Sequence, residues 1–145
     1  MTRKKKIALI VTAAVVGTLL LLTLFVFLVF RLIGAAVDKY ELDEKTQTYM
    51  EAIISVDNEK LHTVSYSDSV DAKELCDKLR DSEIVLQGEV KIHTPISLGI
   101  IAGEHGTTVN AVFRVTVGTD KYLVTVEYLE NAEGTGIRSF YINPA

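Results

Sequence analysis

A chain of 145 residues with a formal charge of -4 and one cysteine has room for a single domain beside one further segment, since domains usually run to about 100–150 residues. The charge is unevenly spread: Arg3, Lys4, Lys5, Lys6 and Arg31 supply +5, so the rest of the chain sums to -9, which leaves no basic surplus for phosphates and excludes nucleic acid as a partner. With no second cysteine, Cys76 forms no internal disulfide, and its place in a helical pattern favours a buried thiol over a cross-link between chains.

No residue from Ile7 to Phe30 is charged. At 1.5 Å per residue this run makes about 36 Å of helix, enough to cross a ~30 Å hydrocarbon core. The predicted division is a basic tail at 1–6, a transmembrane helix at 7–33 and an extracytoplasmic domain at 38–143. Cytoplasmic flanks carry the Lys/Arg excess, so the cluster Arg3 to Lys6, set against Asp38, Glu41, Asp43 and Glu44, predicts a cytoplasmic N-terminus in a plasma membrane. Arg31 at the outer end can lay its stem along the helix and reach the headgroups. A cleaved signal peptide is the rival, because Gly34-Ala35-Ala36 offers small residues, but the apolar run is about twice a normal h-region. No cysteine directly follows that run, which excludes a lipoprotein. Ala13 and Gly17 are spaced to let two anchor helices approach closely.

After the anchor, Leu42, Thr46, Tyr49, Ile53 and Val56 step by three and four residues and predict a helix beginning almost at the bilayer, with Gly34 as a soft point before it. Asp57-Asn58 ends it, and Glu59 to Tyr66 reads as another helical turn or two. Between Asp71 and Asp81, Ala72, Leu75, Cys76 and Leu79 follow the i, i+3, i+4, i+7 pattern, with Asp71 as cap and Glu74 three residues on.

The period then changes to two. Ile84, Leu86, Val90 and Ile92 alternate with Val85, Gln87, Glu89 and Lys91 and predict a strand. His93-Thr94-Pro95 reads as a turn, and Ile96 to Ala102 as a second strand. Gly103 to Gly106 is a loop, and Val109 to Val117 a strand. Gly118 to Lys121 is a hairpin loop leading to a strand at Tyr122 to Glu130. Asn131 to Gly136 turns the chain into a last strand, Ile137 to Ile142. Pairing Val117 with Tyr122 places Val115 opposite Val124 and Phe113 opposite Val126, an apolar face throughout. The fold class is therefore α+β: an N-terminal transmembrane helix, then two or three helices packed on a four- or five-stranded antiparallel meander.

The second sheet face is expected to carry Val112, Leu123, Leu129, Phe140 and Ile142, more apolar than a solvated face should be. A partner protein, a second copy of the chain or an internal cover is implied. Arg114 and Glu127 fall on that face as a possible cross-strand pair, and His105 sits in the loop Gly103-Glu104-His105-Gly106, where a carboxylate and an imidazole can act together. Tyr49, Tyr128 and Tyr141 read as core residues with their hydroxyls at its edge.

The chain contains no Gly-rich phosphate loop, HExxH, paired CxxC or GxSxG, and His62, His93 and His105 have no metal-ligand spacing. No cofactor or metal is expected.

The leading helix with YMEAIISVDNEKL, the short helices and the strands of VNAVFRVTVGTDKYLVTVEYLENAEGTGIRSFYIN together resemble the cystatin-like and nuclear-transport-factor-like α+β superfamily. Membrane-anchored bacterial proteins often carry such domains. More distantly, the VTVG strand before a hairpin is similar to the cytochrome oxidase assembly protein family. The superfamily implies a cone-shaped pocket used for catalysis in some members and for binding or dimerisation in many. An inner face of Val, Ala, Phe and Tyr weighs toward a non-enzymatic binding or assembly module acting on an envelope or membrane protein. The alternative is an extracytoplasmic hydrolase or isomerase drawing on Arg114, Glu127 or His105.

Overall fold

The structure, a computed structural model, describes residues 2–145. Met1 of the basic tail and the side chain of Ala36 beside the small-residue site lie outside the described residues. The chain forms two compact units, residues 1–36 and 37–145.

The first unit is helical from Arg3 onward, within α1 (Arg3–Tyr40). This helix is long and apolar enough to cross a membrane, and none of its most apolar window is buried by the protein itself. Thr12, Thr18 and Thr23 donate their hydroxyls to the carbonyls of Ala8, Ala14 and Leu19 at 2.8–2.9 Å, so the polar groups inside the apolar stretch are satisfied within the helix, as hydrocarbon requires. The soft point expected at Gly34 does not break α1. A glycine costs a helix interior only about 1 kcal/mol, and Gly34 has open space around it. The break falls at Glu41, which takes a left-handed conformation (φ 51°) and lets the next helix begin with Leu42 fully buried.

In the second unit α2 (Leu42–Ser55), α3 (Asn58–Val64) and α4 (Ala72–Asp81) precede β1 (Val90–Gly103), β2 (Gly106–Val117), β3 (Asp120–Asn131) and β4 (Gly134–Pro144). The strands form one antiparallel meander in the order β1-β2-β3-β4, so the α+β class holds with four strands. The carboxylates of Asp57 and Asp71 cap α3 and α4, Asp57 accepting from the N–H of Lys60 and Asp71 from those of Lys73 and Glu74, which satisfies donors left free at each helix start. Thr46, Tyr49, Met50 and Ile53 of α2 are buried together with Val109, Ala111, Phe113, Val115, Val124 and Val126 of the sheet. Fully burying a Val, Ile, Met or Phe side chain contributes roughly 1.5–3 kcal/mol, so this seam is the main source of stability.

Four expectations need correction. The segment at Ile84 to Gln87 is not a strand; its alternation reports burial of Ile84 and partial burial of Leu86 in an irregular stretch. That stretch passes tightly under the β2–β3 turn, where a Cβ on Gly88 would meet the Gly118 Cα at 2.8 Å. His93-Thr94-Pro95 is not a turn either. β1 runs straight through it with two register breaks, which an edge strand tolerates because a proline there costs no ladder hydrogen bond.

The β2–β3 hairpin closes in two residues, Gly118 and Thr119, with Gly118 at φ 62°, as a tight hairpin turn prefers. Val117 therefore faces Asp120 and Val115 faces Tyr122, two residues from the expected register; an even shift keeps every side chain on its expected face. In β4 the parity does change. Tyr128 faces Ile137 but Glu127 faces Ser139, so Arg138 is an extra residue, and this bulge turns Phe140 and Ile142 onto the helix-covered face. Phe140 stacks on Tyr49 with centroids 4.8 Å apart, and Ile142 is buried.

Candidate functional site

The space between helices and sheet is filled. Val109, Ala111, Phe113, Val115, Val124 and Val126 project into it and are essentially inaccessible, so among the described residues this space holds packed apolar side chains rather than an open polar pocket. The sites that remain lie at the rim.

The most apolar of them is built around α4. Its pattern points Leu75, Cys76 and Leu79 at the core, yet only Ala72 of this helix is fully buried. On one side, α4 and the end of β4 enclose an open groove of about 660 Å³ floored by Ile53, Leu75, Leu79, Phe140 and Ile142, with Lys78, Ser82 and Asn143 at its mouth. On the other, a groove of about 380 Å³ runs between α4, α2 and the Ile84–Gly88 stretch, with Cys76 in its wall. Cys76 is thus half-buried rather than sealed in the core. Before the bulge at Arg138, Ser65 bridges to Ile137 and the Tyr66 N–H donates to the Ile137 carbonyl at 2.9 Å; beyond it, Phe140 and Ile142 line the groove beside α4.

A third hollow, of about 540 Å³, lies at the Ala132–Glu133 turn and is lined by Lys39, Tyr40, Lys45, Tyr128, Glu130 and Thr135 among others. The Lys45 ammonium donates to the Tyr128 hydroxyl at 3.2 Å and lies 4.6 Å from that ring's centroid. The same hydroxyl shares a 2.6 Å hydrogen bond with Thr135. Two lysines and two glutamates balance in charge there, so the hollow has no net pull on an anion.

The residues expected to carry a site are dispersed. Arg114 is exposed opposite Leu123, whereas Glu127 faces Asn110 and Ser139, four residues along β2, so the two are not cross-strand neighbours. Glu127 instead pairs with Arg138 of the bulge. His105 occupies the two-residue turn between β1 and β2 and is exposed. Val112, Leu123 and Leu129 lie half-buried on the outer sheet face, among Thr108, Asn110 and Thr125. Tyr49 and Tyr128 are buried and Tyr141 is exposed. No three His, Cys, Asp or Glu side chains converge as a metal site among the described residues.

Titration follows burial. Burial pushes the Tyr49 phenol up to about 12, and burial with the nearby Asp120 carboxylate raises Tyr122. Hydrogen bonds from Lys60 and then Gln47 hold Glu51 below the usual carboxylate range. The α4 groove was half visible in the sequence, since Leu75, Cys76 and Leu79 mark its wall. Phe140 and Ile142 in its floor lie on the face opposite to the expected one, because a bulge leaves no compositional mark.

No family model and no curated protein matches the chain. Among solved structures it is similar to a putative dehydratase from the NTF2-like family from Streptomyces avermitilis, at 10% identity and a TM-score of 0.42, over 74% of this chain and 98% of that one.

Proposed function

We propose that the chain is a single-pass membrane protein, N-terminus in the cytoplasm, whose far-side domain holds an apolar segment of another membrane or envelope protein in the groove between α4 and β4. The observation that carries this reading is the α4 apolar face, Leu75, Cys76 and Leu79, which its own domain covers only in part. Apolar surface left at a groove is favourable to bury against a partner. The charge split across the apolar helix supports the orientation. Three residues, Gly34 to Ala36, separate Ile33 from Val37, a tether of four peptide steps and at most about 14 Å, which supports a partner lying at the same membrane. Val112, Leu123 and Leu129 on the outer face are a secondary contact surface in this reading.

The test is site-specific photo-crosslinking in cells. A crosslinker at Lys78, at the mouth of the groove, is expected to capture a discrete partner, and one at Arg114 on the outer face to capture less. Leu79→Asp should abolish capture at Lys78 while the chain still accumulates. Equal capture from both positions, or capture unaffected by Leu79→Asp, refutes the groove. A reporter active only outside the cytoplasm, fused after Ala145, is expected to be active; inactivity refutes the topology. The alternative, a hydrolase or isomerase using Arg114, Glu127 or His105, gains no support from geometry that leaves the three apart.

A further inference from the structure

The sheet has two edges, and they are protected very differently. Along β4 the first half is covered by the Ser65–Tyr66 segment, so closely that a Cβ on Gly136 would meet the Ser65 carbonyl carbon and Tyr66 nitrogen at 2.5 Å; the Arg138 bulge follows. β1 is the other edge and no strand pairs with its free side among the described residues. Its first half carries the usual guards of an exposed edge: Lys91, His93, Pro95 and two breaks in register. Its second half carries none. Ser97 to Gly103 pairs with β2 without interruption, contains no charge, and with Ile96 presents Ile96, Ile100 and Ile101 at 51%, 47% and 68% exposure. A long, regular, uncharged and apolar edge is a template for another strand unless something occupies it.

We propose that two copies of this chain join through this edge, β1 pairing antiparallel with β1 of the other copy over Pro95–Gly103 about a two-fold axis at Gly99, to make one continuous sheet. Three features favour a second copy over a foreign strand. The proposed pairing range Pro95–Gly103 contains no charge and is centred on Gly99, so self-pairing there places Leu98 opposite Ile100 of the other copy twice over, an apolar cross-strand pair on the helix-side face, with Ile101 opposite Ser97 on the other. The ends of the window are complementary in charge: antiparallel pairing brings the Glu104 turn of one copy to the end that carries Lys91 and His93 in the other, whereas parallel pairing sets Glu104 beside Glu104. An isologous contact of this kind closes on itself and leaves the β4 edges outward. Nothing in this pairing uses the α4 groove, so it stands or falls apart from the docking reading above.

The test uses the full-length chain, in cell membranes and after detergent extraction, in a Cys76→Ser background. Gly99→Cys adds a side chain where nothing lies within 4 Å and sits on the proposed axis; under mild oxidation it is expected to form a disulfide dimer, while Arg114→Cys, on the face of the sheet, is not. Ile100→Lys places two like charges in the paired seam and is expected to weaken dimerisation in detergent by about tenfold. Its exposed position predicts an unchanged melting curve when both chains are diluted until monomeric. A chain that is monomeric at all micromolar concentrations overturns the proposal. So does a dimer unaffected by Ile100→Lys, and so does one lost on Gly17→Leu alone, which places the contact in the apolar helices. Lipid quenching of a probe at Ile101, without Gly99→Cys cross-linking, assigns the edge to the membrane and also overturns it.

Discussion

Tyr49 offers the sharpest test of how the core is packed. Its ring is 4% exposed and stacks on Phe140, and burial, which penalises the phenolate, pushes its pKa up to about 12 from the ordinary value near 10. A group whose pKa is raised in the folded state binds a proton there that the unfolded chain has already lost. The stabilisation from a neutral Tyr49 is therefore complete below pH 10 and is lost as pH rises from 10 to 12. Two units correspond to at most about 2.7 kcal/mol, of which about 1.4 is gone at pH 11 and about 2.3 at pH 12. Tyr49→Phe removes the titrating group and keeps the stacked ring. Urea unfolding of the detergent-solubilised chain, followed by circular dichroism, is expected to show variant and wild type equal within about 0.5 kcal/mol at pH 8, with the variant increasingly more stable from pH 10 upward. The remaining tyrosines and the lysines titrate in both proteins and cancel in the difference. Parallel pH curves from 8 to 12 refute the assignment of the ring to the core.

Other consequences follow from the same core. The Thr46 hydroxyl is buried in an apolar seam with no hydrogen-bond partner among the described residues, so Thr46→Val should raise stability by about 1 kcal/mol, read as a higher urea midpoint at unchanged slope. Gly136→Ala drives a methyl group into the Ser65–Tyr66 backbone and is expected to cost about 1–3 kcal/mol, with the Tyr66 amide losing protection in hydrogen exchange. Lys60 bonds Glu51 at 2.9 Å, but both side chains are 39% exposed, so Lys60→Ala should cost under about 1 kcal/mol at pH 7. Because Glu51 is held below its ordinary value, that small contribution is present above about pH 4.5 and fades as pH falls through the folded-state pKa; a carbon-13 titration of the Glu51 carboxylate should move upward in the variant.

The sequence by itself determined what depends on local pattern. An uncharged run from Ile7 to Phe30 can only be a long apolar helix. The apolar spacing of α2 and α4, the Asp71 cap and the alternation of β2 and β3 follow from periods of 3.6 and 2 that are written in neighbouring residues. Even a wrong hairpin register left the inner face of β2 and β3 correct, because the error was even. What only the tertiary structure decided turns on single residues of backbone that carry no compositional signal. Arg138 as a bulge places Phe140 and Ile142 in the floor of the α4 groove rather than on the outer surface, and the break between α1 and α2 falls at Glu41 rather than Gly34. Pro95 stayed inside one long edge strand, since a proline that costs no hydrogen bond at an edge looks in sequence like a turn. The two surfaces on which function is proposed, the groove beside α4 and the free edge of β1, belong to this second class: each is defined by what the rest of the chain fails to cover, and coverage is a property of packing between distant segments.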